Sequence, residues 1–354
     1  MRRMKRINYI KALMLTAIVV FAACSDQSEQ TEEMASEHLQ LAGLTRTPMK
    51  TEGTPGVYDA NEDYSLIQVY MAYDSGINEG QFGYDPDTKE WSSNIGIMSG
   101  RQYYVYGFSP ATAATGTISS TDYSQGATLT LNGLKTVTAD DVCVVVGVQS
   151  VSNRETAPDW GTNCGQFGFQ ALGKGENFIC LLLDHLFAGI NFKIKVEENY
   201  NDRRTIKLKK MKLNVTGYAT ANVTIKLKKT DNGSDPIDII TYEQTGNSQS
   251  ADLFDAEDGD LLELSTTEQS ITGSLWPTLN KKMVLVSTYN VYDKKGTCVR
   301  ENCVSENAID LNKVSGFEMK HGNQVTISLT VEPTYLYQLS EPELDNPTIV
   351  VNSE

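Results

Sequence analysis

Histidine is scarce in this sequence, with three among 354 residues: His38, His185 and His321. A set that small and scattered offers no Ser-His pairing in sequence and no spaced zinc ligands. Gly-x-Ser-x-Gly, His-Glu-x-x-His and the P-loop pattern do not occur, and Gly173-Lys174-Gly175 lacks the third glycine of a dinucleotide loop. The acidic run Asp255–Asp260 fails as a calcium loop, because Gly259 at the sixth place puts Phe254 where an acid must stand. Any two acids of a fold could form a glycosidase pair, but nothing in the order of residues selects one. No enzyme activity, metal or cofactor is expected. After the first 24 positions no apolar stretch reaches membrane length. Basic residues are outnumbered, 30 against 45, for a net charge of −15. Five of them (Arg2, Arg3, Lys5, Arg6 and Lys11) lie at the very start, so the remainder is more acidic still. Such a body repels phosphate, which excludes nucleic acid as a partner.

The start itself is informative. Met1–Arg6 is basic, Ala12–Ala23 is apolar, and the small residues Ala22-Ala23 precede Cys24. A basic head, a short greasy core and a small-residue cut site make a secretory signal peptide over 1–23. The arrangement Phe21-Ala22-Ala23-Cys24 resembles the bacterial lipobox, in which the thiol is acylated and the chain is cut just before it. Lipid on Cys24 would then be the sole anchor. Removing Cys24 leaves five cysteines, an odd number. Cys143 and Cys180 sit in apolar runs and read as buried small side chains. Cys298 and Cys303, if extended, are about 16 Å apart at roughly 3.3 Å per residue, too far for a disulfide.

Residues 24–46 form an acidic tether with few apolar positions; within it Leu39, Leu41 and Leu44 suggest a strand. Arg46 is the first basic residue after Cys24, with Lys50 close behind. From Tyr64 onward short strands alternate with Gly, Asn, Asp and Ser. Candidates are Ser65–Tyr73, Gln102–Phe108, Ala127–Leu131, Val142–Val148, Phe178–Leu183, Phe187–Val196, Thr205–Val215, Asn222–Lys228, Ser270–Leu275, Lys282–Tyr292, Cys298–Val304 and Gln324–Val331. Period-two patterns such as Val325, Ile327, Leu329 and Val331 against Thr326, Ser328 and Thr330 mark strands with one buried face. The fold class is all-β, expected as two β-sandwiches over 47–184 and 185–354. Ser150–Gly175 reads as surface loops, and Asp252–Leu264 as the place for a short helical turn.

The segment Thr205–Lys210 recurs as Thr224–Lys229, and the two copies are expected to be neighbouring antiparallel strands. Their lysines read as solvated faces that blunt an edge rather than as a docking strip. Pro333, Pro342 and Pro347 punctuate a tail ending in Thr348-Ile349-Val350-Val351, an extended arm able to pair with another sheet.

These residues together resemble the fimbrillin-like lipoproteins that build type V pili. Arg101–Pro110, a Tyr-rich run ending in a Phe-x-Pro corner, looks like that family's first-domain strand. Asp184–Ile194 is similar to the strand that opens its second domain, and Gly322–Ile327 to a late strand after a Gly-Asn turn. The resemblance implies two transthyretin-like, Greek-key sandwiches. It implies lipid (palmitate) on Cys24 and delivery to the outer membrane. It also implies a cut by an Arg-specific protease between Arg46 and Thr47, which would remove the tether strand and expose a groove. Thr348, Ile349, Val350 and Val351 would then serve as the donor arm to a neighbouring fimbrial subunit, giving open head-to-tail assembly. The family includes stalk, tip and anchor subunits, and some members are not cut. The alternative is a surface glycan-binding lipoprotein, for which Trp91, Trp160 and Trp276 would have to form an exposed sugar platform.

Overall fold

A computed structural model describes residues 36–47, 56–57, 66–138, 140–172, 176–215, 220–231, 234–245, 249–256, 260–271, 276–277, 282–310, 320–331 and 350–352. The described chain is nearly all strand, with short helical turns at Ala111–Ala113, Trp160–Asn163 and Glu198–Asn201. Valine, isoleucine, tyrosine and phenylalanine fill the strands because branched and aromatic side chains pack well on a pleated surface.

The largest sheet has ten strands. Its order is Gly56–Val57, Ser36–Arg46, Asn177–His185, Cys143–Val151, Gln102–Ser109, Leu66–Tyr73, Gly76–Asp85 and Glu90–Ser93. Gly168–Gln170 joins the Gln102–Ser109 strand, and Gly96–Met98 pairs with Ser36–His38. The last pairing matters, because it brings the far end of the sheet back to the leading strand Ser36–Arg46. Leu39 N–H donates to the Ile95 carbonyl at 3.1 Å, and Ser93 Oγ donates to the Leu39 carbonyl at 2.6 Å. The sheet therefore closes on itself, which removes an exposed edge. Leu39, Leu41, Leu44, Ile67, Val69, Met71, Phe82, Tyr103, Val105, Ile179, Leu181 and Leu183 fill the interior.

The outer face of the same sheet is also covered. Four strands, Ile237–Thr245, Thr220–Lys228, Gly126–Lys135 and Thr115–Ser119, pack on it through Tyr106, Phe108, Leu129, Leu131, Val144, Val146, Val223 and Ile225. Two of these strands precede position 184 and two follow it, so the chain crosses that position and returns to complete a sheet begun earlier. Gly126 makes the approach possible: its φ is +141°, and a Cβ there would lie 2.1 Å from the Leu227 carbonyl oxygen.

A second sandwich is built from later residues. One sheet runs Gln269–Ser270, Gly189–Val196, Gln324–Val331, Val350–Asn352. The other runs Gln249–Asp255, Arg204–Val215, Lys282–Asp293, Cys298–Asp310. Ile190, Phe192, Leu208, Met211, Leu213, Leu285, Tyr289, Ile327 and Leu329 form the core between them.

Two expectations need correcting. The two copies of the lysine-bearing repeat are not neighbours: Arg204–Val215 pairs with Lys282–Asp293, and Thr220–Lys228 with Gly126–Lys135. Local pattern fixes which face of a strand is buried, not which sheet it joins. At the two ends of the stretch expected to hold a helical turn lie strands Gln249–Asp255 and Leu262–Glu263, both on the Arg204–Val215 strand, and positions 257–259 between them lie outside the described residues. The region 150–175 is not all surface loop, because Phe167 and Phe169 are buried in two separate cores.

Candidate functional site

The leading strand Ser36–Arg46 and its end are the part of the fold with the most unusual chemistry. The strand runs parallel to Asn177–His185, with Leu39 opposite Asn177 and Arg46 opposite Leu183. The register shifts between Leu41 and Gly43. Strict alternation would turn Leu44 outward; the irregularity restores it to the interior beside Leu39 and Leu41. All three leucines are at most 5% exposed. Few apolar residues in the tether therefore suffice, because these three leucines all pack into the body's own core.

Past Leu44 the surroundings become polar. Arg46 Nη1 lies 2.5 Å from Asp141 Oδ2. The same carboxylate meets His185 Nδ1 at 2.8–2.9 Å. His185 Nε2–H donates to the Thr47 carbonyl at 3.1 Å. Thr47 N–H donates to the Leu183 carbonyl at 2.8 Å, and its hydroxyl makes a short hydrogen bond to Asp184 Oδ1. That Asp184 oxygen also accepts from the His185 N–H at 2.9 Å. On its outer edge Arg46 pairs with Gly56. Asp141, Asp184 and His185 are all buried, each with partners, as buried charge requires.

A second histidine extends the cluster. His321 Nε2 lies 3.1 Å from Asp235 Oδ2, and Nδ1 lies 3.5 Å from Asp184 Oδ2. The longer approach is electrostatic rather than a hydrogen bond, and Nδ1 has no hydrogen-bond partner among the described residues. Burial works to lower the His321 pKa, but the two carboxylates outweigh it and hold it up at about 9.

Two groups of donors lie within 4.8 Å of one another: Asp141, Cys143 and His185, and Asp184, Asp235 and His321. In the first, the Arg46 guanidinium already supplies the positive charge that Asp141 needs. Burial, and then the Asp141 charge, push the Cys143 thiol well up, away from the thiolate a metal or a nucleophile would use. In the second, the two carboxylates approach opposite nitrogens of the His321 ring, Asp235 at Nε2 and Asp184 at Nδ1, and hold it as a cation between them. Cys164 and Cys180 are also pushed up, each to about 11, chiefly by burial. Cys298 and Cys303 lie on one strand, Cys298–Asp310.

The structure thus brings Arg46 and Thr47 together with Asp141, Asp184 and His185. Val350 and Val351 belong to a short strand antiparallel to Gln324–Val331 of the same chain, with Val351 opposite Ile327. Cys24, Thr348, Ile349 and the loop at 257–259 lie outside the described residues. Trp91 is buried and Trp160 half-buried against two cores, so neither forms an exposed platform; the Trp276 side chain lies outside what is described. Sequence reasoning singled out Arg46 but missed its counter-ion. The available signal was the acidic pair Asp140-Asp141 standing just before the apolar run Val142–Val146.

No protein family and no curated protein matches the chain. Solved structures to which it is similar include a fimbrial protein from Bacteroides vulgatus ATCC 8482, with 12% identity, a TM-score of 0.39, and 90% of this chain and 98% of that one covered. Another is the fimbrial anchor protein Mfa2 from Porphyromonas gingivalis, with 12% identity, a TM-score of 0.30, and 85% and 92% covered. A protein assigned to cell adhesion from Bacteroides fragilis NCTC 9343 has 11% identity, a TM-score of 0.44, and 90% and 97% covered.

Proposed function

We propose that this chain is a structural subunit of a cell-surface fimbria that supports adhesion. In this reading Cys24 carries the lipid that holds the precursor at the outer membrane, and an Arg-specific protease cuts between Arg46 and Thr47. The observation that carries it is the leading strand. It is an eleven-residue segment ending in Arg46 that completes a closed sheet with three buried leucines.

Removing that strand would uncover Ile179, Leu181, Leu183 and Ile97. It would also leave the Asn177–His185 backbone unpaired along one side. An exposed edge above an apolar floor takes up an added strand through main-chain hydrogen bonds, with alternate side chains entering the vacated pockets. Another fimbrial subunit supplies that strand, and Thr348, Ile349, Val350 and Val351 are this chain's counterpart for its own neighbour. Because donor and groove are different surfaces, the contact is heterologous and grows as an open filament. The reading includes no catalytic step by this chain. The packed positions of Trp91 and Trp160 give no support to a glycan platform.

The test uses the full chain with Cys24→Ser, treated with an Arg-specific endoprotease. A new N-terminus at Thr47, followed by laddered species on a gel and filaments by negative stain, is the expected result. A body that is cut at Arg46 and stays monomeric would overturn the proposal.

A further inference from the structure

The position read as the cut site is held shut, and the residues that hold it are not part of the strand that would be removed. Arg46 and Thr47 are restrained through both backbone and side chain. Backbone pairing fixes them to Leu183 and Gly56. Asp141 takes the guanidinium, His185 takes the Thr47 carbonyl, and Asp184 takes the Thr47 hydroxyl. The Arg46 side chain is only 24% exposed, and the carboxylate facing it 6%. A protease that selects arginine must seat that guanidinium in its own acidic pocket and pull several residues into an extended, unpaired segment. Neither is possible while these contacts stand.

We infer that Asp141, Asp184 and His185 form a latch that shields the Arg46–Thr47 bond, so that cleavage waits for local opening of the strand end. This rests on the reading of Arg46 as the cut site. The three side chains are positioning residues: they touch the bond's flanks and govern access to it. The latch gives the precursor a reason to remain whole until something pries the strand end loose. The competing attraction is a protease that offers Arg46 a better carboxylate than Asp141. Cleavage through a transiently open state proceeds at a rate set by the open population, so loosening the latch raises that rate directly.

The experiment compares three substrates at one protease concentration: the full chain carrying Cys24→Ser, the same chain with Asp141→Asn or Asp184→Asn, and a synthetic peptide spanning residues 42–52. Mass spectrometry follows only the product that begins at Thr47. The expected result is a folded chain cut at least about a hundredfold more slowly than the peptide, with each substitution closing about tenfold of that gap. Neither substitution lies within the peptide's sequence, so the protease's own preference is unchanged. If the folded chain is cut as fast as the peptide, or if folded variants are cut no faster than the unaltered chain, the latch is refuted. If the peptide is cut but the urea-unfolded chain is not cut at Arg46, the cut-site reading fails instead. Should a variant not fold, the unaltered chain decides. Its Thr47 amide must exchange slowly, and the cleavage rate must rise with that exchange as sub-denaturing urea is added; rates that do not move together overturn the inference.

Discussion

At the scale of single residues, the chemistry concentrates where apolar strands end. Asp141, Asp184, His185, Asp235 and His321 are all at strand ends or turns. There a charge can meet a partner without breaking a ladder of backbone bonds. His321 gives a pH prediction. Its folded pKa is about 9, above its ordinary 6.5, so the stability it contributes is fully present below about pH 6.5 and is lost as the pH rises through 9. Thermal unfolding should show the unaltered chain exceeding His321→Gln at pH 6.5, with the difference shrinking towards pH 9.5. An equal difference at both ends would refute the bridge to Asp184 and Asp235. Little of this cluster was legible beforehand. Nothing local marks Asp141 or His185, because Arg46 lies 95 residues from Asp141 and Thr47 lies 138 residues from His185.

At the scale of elements, periodicity did most of the work. Val325, Ile327, Leu329 and Val331 are all buried, as their alternation predicts; Ser328 is buried as well, in the stretch that Val350–Asn352 covers. The strand Gly76–Asp85 escaped notice because its glycines and polar residues carry no alternation. It is specified by its hairpin partner, with Leu66 opposite Gly83 and Tyr73 opposite Gly76. The leading strand is the sharpest case. Leu39, Leu41 and Leu44 announced a strand, but an acidic tether read alone gives no sign of an interior waiting for it. Its worth is measurable. Leu41 is 1% exposed inside the closed sheet. Leu41→Ala in the full chain should cost about 2–5 kcal/mol in denaturant unfolding, as large-to-small changes in packed interiors do. Ala42, on the opposite side of the strand and only partly buried, should cost under about 1 kcal/mol when changed to Ser. Equal small losses at both positions would mean the strand is merely laid on the surface.

At the scale of the whole molecule, the all-β class followed from turn residues between short alternating runs, and the structure bears it out. The sharing of strands across position 184 did not follow. Two sheets can be equally apolar on their inner faces, and the residues that decide between them, such as Gly126 against Leu227, act through close approach rather than through pattern. What the molecule most needs to be, on this account, is a body with a replaceable strand. The decisive measurement splits the chain at that strand: residues 47–354 are produced alone, and the peptide of residues 36–46 is added in trans. The account predicts that the peptide binds the body and raises its unfolding temperature, and that a peptide with Leu39, Leu41 and Leu44 changed to Asn does neither. A body whose stability is indifferent to the peptide, or one that remains unfolded in its presence, would contradict it.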